Sequence, residues 1–275
     1  MLRSLYSGVS GMRGFQTKLD VIGNNISNVN TVGFKGGRVM FKDILSQTVS
    51  GVTAPDGNES GGVNAKQIGL GVALSSIDTI HTPGSAMTTN VPTDLRIDGD
   101  GFFVVNAGEE NNYLTRAGNF TVDAQRNLVN ADGLRVVDSG GTPIFIPEEV
   151  TAFSIANDGN IIAVQADGTS AAIGVQIAVV KVANPGGLEK IGGNLYRVTP
   201  NANPEGALEL DGDNSTANNA ATGTGAIVSG QLEMSNVDLT AEFTEMIVAQ
   251  RGFQANSRII TTSDEILQEV VNLKR

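Results

Sequence analysis

Apolar residues near the start of the chain fall three and four positions apart. Leu2, Leu5, Val9, Met12, Leu19 and Ile26 make one row, interrupted by Gln16 and Gly23, while Phe15, Ile22 and Val29 repeat every seven residues. This spacing predicts an amphipathic helix with coiled-coil-like periodicity. It stops at "NTVGFK", where Gly33 can supply a positive φ. Gly8, Gly11, Gly14 and Gly23 interrupt the pattern, each at a cost of about 1 kcal/mol against alanine, so this helix is marginal alone. At the other end, "SNVDLTAEFTEMIVAQRGFQANSRIITTSDEILQEVVNLKR" contains no proline and predicts one long helix beginning near Asn236. Met246, Phe253, Ile260 and Leu267 repeat every seven residues, as do Ile259, Ile266 and Leu273, giving an apolar face broad enough for more than one partner helix. Ser235 is the expected cap, with Asp238 in the first turn, and Lys274 and Arg275 sit where the helix dipole favours cations.

Between the helices the pattern changes twice. Residues 36–75 include "VSGVTAPDGNESGGVNAKQIGLG", whose composition predicts an irregular connector of loops and short hairpins. Residues 76–230 read as β. Asp-Gly pairs at Asp98-Gly99, Asp100-Gly101, Asp132-Gly133, Asp158-Gly159, Asp167-Gly168 and Asp211-Gly212 separate runs such as "GFFVVN", "FSIAN", "NIIAVQ" and "VQIAVVKV". "NANPEGALELDGDNSTANNAATGTG" is small and polar and reads as mobile. The expected fold class is α+β: a terminal helical assembly domain (1–35 plus 231–275) of coiled-coil type, the connector (36–75) and an all-β body (76–230).

Composition narrows the function. The 275 residues carry a net charge of −11, which argues against a nucleic-acid partner. Cysteine is absent, excluding thiol catalysis, disulfides and thiolate metal sites. The single histidine, His81 in "SIDTIHTPGS", reads as a surface or turn residue rather than a metal ligand. The "DGDG" segment places Phe102 and Phe103 where a calcium loop needs an oxygen ligand and a glycine, and "LDGDNSTANNAATG" places Thr222 where the bidentate glutamate belongs. No P-loop, GxSxG or HExxH pattern occurs. No catalytic residue, metal or cofactor is therefore expected. The opening "MLRSLYSGVSGMRGFQTKLDVIG" has no apolar run of secretory type and no membrane span follows it, so neither a cleavable signal peptide nor lipid insertion is expected.

Polar residues within the helices admit two readings. Asn24, Asn25, Asn28 and Asn30 crowd the end of the first helix, and Gln250, Arg251, Gln254, Asn256 and Ser257 interrupt the last. They mark a helix end and a solvated face, or they line a wet seam between subunits where polar groups set register.

"LDVIGNNISNVNTVGFK" (Leu19 to Lys35) resembles the N-terminal signature of bacterial flagellar rod and hook proteins, and the closing helix resembles that family's C-terminal segment nearly throughout. "IDGDGFFVV", "YLTRAGNFTVDAQRNLVNADG" and "GGLEKIGGNLY" look like its β domain. "VIGNNI" and "SNVDLTAEFTEMIVAQRGFQAN" look more like hook protein, the chain length is nearer to the distal rod protein, and a short hook subunit reconciles the two. The resemblance implies a structural subunit that self-assembles into the tubular hook transmitting torque to the filament. The distal rod protein of the basal body is the alternative, and a secreted β-rich adhesin a further class. It implies export through the flagellar type III apparatus to an extracellular position. The implied partners are other copies of the chain, distal rod, hook cap and hook–filament junction proteins, and the export apparatus. The assembly residues it implies are Leu5, Met12, Leu19, Ile22, Asn24, Asn25, Ile26, Asn28, Gly33 and Phe34 at one end. At the other they are Asp238, Phe243, Met246, Gln250, Arg251, Phe253, Asn256, Ile260 and Leu267.

Overall fold

The computed structural model describes residues 2–55, 61–108, 111–148, 150–165, 170–204, 208, 210 and 215–273. It is α+β, with one helix at each end and a β-rich region between. The chain divides into two compact units. Unit 1 is Met1–Ser27, Gly37–Thr79 and Asp238–Arg275, and unit 2 is Asn28–Gly36 with Ile80–Val237.

In unit 1, helix α1 (Leu2–Ser27) runs antiparallel to helix α2 (Leu239–Asn272). Neither is long and apolar enough to cross a membrane. The start of α2 corrects the sequence reading. Asp238, not Ser235, is the cap, and its side chain accepts the backbone N–H groups of Thr240 and Ala241. Helix geometry therefore begins at Leu239 rather than near Asn236. Lys274 and Arg275 lie outside the described residues.

The glycines have a different role from the one their helix cost suggests. Gly8 lies against Asn256 and Ile260, Gly11 against the Asn256 amide, and Gly252 of α2 against the Phe15 ring. Gly14 faces the Phe41 ring, whereas nothing lies within 4 Å of a side chain added at Gly23. Gly11 and Gly14 are thus contact points where a side chain would push a neighbour away, while a Cβ at Gly8 would meet its neighbours at ordinary contact distance. A Cβ at Gly252 would lie 2.6 Å from Phe15. Gly252→Leu should therefore destabilise the helix pair, overpacking of about 1–3 kcal/mol exceeding a helix-propensity gain of about 0.8 kcal/mol. Gly23→Ala, with free space around it, should stabilise by up to about 1 kcal/mol. Opposite shifts of the helical melting transition check the pair, and equal shifts would refute the packing.

Residues 36–75 are more ordered than the connector expected there. Gly37–Asp43 pairs antiparallel with Val72–Thr79, with a register slip between Met40 and Phe41. Further out Ser46–Ser50 pairs with Lys66–Gly69, and Thr53 bridges Val63. This is one long β ribbon. It belongs with the helices, because Phe41 packs on Phe15 at 6.2 Å between ring centroids and Ser10 Oγ accepts the Val72 N–H. Composition misleads here because the outer strands are exposed on both faces and so accept small and polar residues.

Unit 2 is built on an eight-stranded antiparallel sheet whose path runs Glu189–Gly192, Leu195–Arg197, Asn112–Thr115, Phe102–Asn106, Arg135–Val136, Leu128–Val129, Thr121–Val122. Val179–Val180 also pairs with Phe102–Asn106. Beside it are the meander Val150–Ile155, Asn160–Gln165, Ser170–Gln176 and two small ladders, Leu95–Asp98 with Ala226–Ser229 and Ala86–Thr88 with Gln231–Glu233. "FFVV" is central. Phe103 and Val105 enter one buried cluster with Leu95, Ile97 and Ile177, while Phe102 and Val104 enter another with Leu114, Val180 and Tyr196. Alternate side chains point to opposite faces, so a strand buried on both reads as an unbroken apolar run. Asp132-Gly133 and Asp158-Gly159 turn as their pattern predicts, Gly133 at φ 80° and Gly159 at φ 82°. The Asp167-Gly168 and Asp211-Gly212 pairs fall outside the described residues.

Candidate functional site

The assembly residues read from the sequence separate into three groups. The first is the seam between α1 and α2 within one chain. Ile22, Asn25 and Ala249 are buried, Asn256 packs on Gly8 and Gly11, and Lys18 pairs with Glu245. The second group is half-buried beside that seam: Leu5, Met12, Leu19 and Ile26 on α1, with Met246, Ile260 and Leu267 on α2. The third is open. Phe243 is 49 % and Phe253 37 % exposed, and Asp238, Gln250, Arg251 and Asn24 are exposed as well. Ile247, Val248, Ile259, Ile266 and Val270 add to this uncovered apolar surface of α2, larger than isolated surface residues account for.

The polar residues divide in the same way, some packing within the chain and others facing solvent. Asn25 is the best defined. Its Oδ1 accepts the Gly37 N–H at 2.9 Å, while its Nδ2 donates to Gly37 O at 2.9 Å and to Glu242 Oε1 at 3.0 Å. One amide thus ties the end of α1 to the first residue of the ribbon and the first turn of α2. Burial pushes the Glu242 carboxyl above its ordinary value, against the pull of that hydrogen bond. Gln250, Arg251, Gln254 and Arg258 instead line a shallow polar hollow on the open side of α2.

Unit 2 holds Asn28, Gly33 and Phe34. Asn28 Oδ1 accepts from Thr31 Oγ1 at 3.1 Å. Gly33 has φ 69°, as expected, and donates its N–H to Glu233 O at 2.8 Å. Phe34 is buried with Lys190 Nζ over its ring at 4.9 Å. Directly after it comes a buried ionic knot that the sequence reading missed. Lys35 Nζ lies 2.6 Å from Glu233 Oε1, and Arg116 Nε lies 2.7 Å from Glu233 Oε2. All three are nearly inaccessible to solvent. Further hydrogen bonds surround the three charges. Lys35 Nζ donates to Thr82 O, Gly84 N–H to Glu233 Oε1, and the Arg116 guanidinium to the carbonyls of Gly99 and Gly101. Asn236 closes the same region, accepting the Gly36 N–H and donating to Ile80 O and Thr82 Oγ1. A lone Glu in "GQLEMSN" was the available signal, but nothing local in the sequence links it to Lys35.

His81, read from sequence as a surface or turn residue, lies half-buried in a loop beside this knot. Its ring packs edge-on against Phe102 and Tyr196 at 5.6 and 5.5 Å. Burial, then the charges of Lys35, Lys190 and Arg116, lower its pKa from 6.5 to about 4. The unfolded chain binds this proton more tightly than the fold does. Stability from His81 is therefore complete above pH 6.5 and falls as pH drops toward 4, by up to about 3 kcal/mol at 1.4 kcal/mol per unit. For Glu233, burial alone would raise the carboxyl, but Arg116 and Lys35 outweigh it and hold the group below 4.5. Its share is present above pH 4.5 and is lost as pH falls below that. His81→Phe should remove the loss between pH 6.5 and 4 and leave the lower one, read from urea midpoints at stepped pH. An unchanged profile would sink this assignment.

Comparison with known proteins matches the same regions. Residues 5–35 match the model "Flagella basal body rod protein", residues 96–163 the "Flagellar hook protein FlgE/F/G D1 domain", and residues 228–273 the "Flagellar basal body rod FlgEFG protein C-terminal". The chain is 57% identical over 275 residues to the flagellar basal-body rod protein FlgG of Bacillus subtilis, covering 100% of both. It is 36% identical over 277 residues to FlgG of Borreliella burgdorferi, again covering 100% of both. To the flagellar hook protein FlgE of that same organism it is 30% identical, in an alignment of 453 positions covering 100% of both chains. The helix pair, the β unit with its D1 match and the full-length relatives agree: the chain belongs to the bacterial flagellar rod and hook protein family and is a structural subunit of the flagellar axis.

Proposed function

We propose that this subunit builds the rod of the flagellar basal body rather than the hook. The observation that carries this is end-to-end similarity to rod proteins without long insertions, at 57% and 36% identity. The hook relative aligns only over 453 positions, so it carries long segments that this chain lacks. The stretches that suggested hook protein lie in the terminal signatures, which rod and hook relatives share. On this reading unit 1 is the assembly module. Its helix pair leaves Phe243, Phe253 and Ile259 open, and other copies of the chain cover them. Hook subunits at the far end of the rod and the type III export apparatus complete the set of partners.

The deciding experiment is the position of the labelled protein along isolated hook–basal bodies. Label confined to the rod supports this reading, and label along the curved hook overturns it. Self-assembly has its own test in Ile260, which packs on Gly8 within the helix seam. Ile260→Asp places a carboxylate among apolar rows. It should abolish polymer formation while the β unit keeps its protease resistance. Normal polymer from this variant would refute assembly through unit 1.

A further inference from the structure

Unit 1 carries a groove of about 430 Å³ between α1 and the β ribbon. Tyr6, Val9, Ile44 and Leu74 give it an apolar wall, and Arg13 is the one charged residue among those lining it. Tyr6 is 74 % exposed, so among the described residues the chain does not cover this wall itself.

The complementary surface lies at the far end of α2. Phe15 packs on Gly252 and Gly11 on Asn256, and continuing this antiparallel pairing sets Leu2 opposite about residue 265, as each residue advances about 1.5 Å along either helix. Among the described residues, none of α1 lies beside the turns that follow. Ile266 is 49 % and Val270 52 % exposed there. Ile266, Glu269 and Val270 share one face, being spaced i, i+3 and i+4. Asp264, Glu265 and Glu269 are all exposed, and the nearest cations in sequence are Arg258 before them and Lys274 and Arg275 after them. One surface offers an apolar wall with a guanidinium, and the other offers two aliphatic side chains with a carboxylate. Their charges are opposite.

We propose that the acidic end of α2 from one copy docks in the α1–ribbon groove of a second copy, with Ile266 and Val270 against the apolar wall and Glu269 paired with Arg13. This rests on the self-assembly reading and gives it a specific contact. Small-ligand binding in the groove and folding back of α2 within one chain are the competing occupants.

The absence of cysteine makes cross-linking a clean test. Polymer of the Val9→Cys/Val270→Cys chain, oxidised after assembly, should run as a ladder of covalent multimers. Cross-linked monomer only, or no cross-link in well-formed polymer, would overturn the proposal while leaving self-assembly intact. Arg13→Glu and Glu269→Arg should each raise the critical concentration for assembly about tenfold, and the two together should restore it to within a few fold. Helical content of each variant confirms that unit 1 is folded. Single variants without effect, or a double variant without rescue, would overturn the Arg13–Glu269 pairing. Absence of polymer from the parent chain would overturn the self-assembly reading and this proposal with it.

Discussion

Glu233→Leu is expected to remove about 3–5 kcal/mol from the stability of the β unit, because it leaves two buried cations without their shared carboxylate. Lys35 and Arg116 are 1% and 4% exposed at the side chain, so water cannot replace the lost partner. Folded domains have only about 5–15 kcal/mol to lose, and the variant should be partly unfolded in moderate urea. The comparison that isolates burial is Glu189→Gln. Its pair with Arg197 is 52% and 58% exposed, and such a solvent-screened surface pair contributes little to stability. Urea midpoints of the two variants, followed by circular dichroism, should therefore differ severalfold in displacement. Similar displacements would mean that the knot is hydrated and the burial argument wrong.

Gly33→Ala should cost about 2–5 kcal/mol, although it adds one methyl group. The left-handed backbone at φ 69° contributes about 1–2 kcal/mol of strain for any residue with a Cβ. The new Cβ would also lie 2.6 Å from Ala117 N and 2.8 Å from Ala117 Cα. These are backbone atoms, which cannot rotate away, so the segment carrying Arg116 must shift, at about 1–3 kcal/mol for overpacking. Gly108→Ala is the control, with a positive φ but open space around it, and should show the strain alone. Since Gly33 donates to Glu233 O and presses on the Arg116 segment, its effect should be non-additive with Glu233→Leu in a double-mutant cycle. Additivity within about 0.5 kcal/mol would show that the two residues act independently.

Several features were legible because they are local. The seven-residue rows predict both terminal helices, the Asp-Gly turns at Gly133 and Gly159 have the predicted positive φ, and "FFVV" announces a strand. The paired end signatures identify the family. Other features were misread for one reason. An asparagine at a helix end looks alike whether it faces solvent or, as Asn25 does, binds Gly37 and Glu242. A helix glycine looks like a weakness until Asn256 is found against Gly11. The ribbon over Gly37–Thr79 looks like a connector because its outer strands, Ser46–Ser50 and Lys66–Gly69, are exposed throughout and so need no alternating apolar pattern.

The sequence by itself determined the α+β class, the position of each helix within about a turn and the kinship with flagellar axial proteins, since all three reside in short-range periodicity or contiguous motifs. The tertiary structure alone decided which apolar rows are spent within the chain and which stay open, and which three charges form the buried knot. Lys35 and Glu233 are separated by 198 positions. No periodic signal spans that distance, because their pairing depends on how the sheet of unit 2 closes and not on either residue's neighbours.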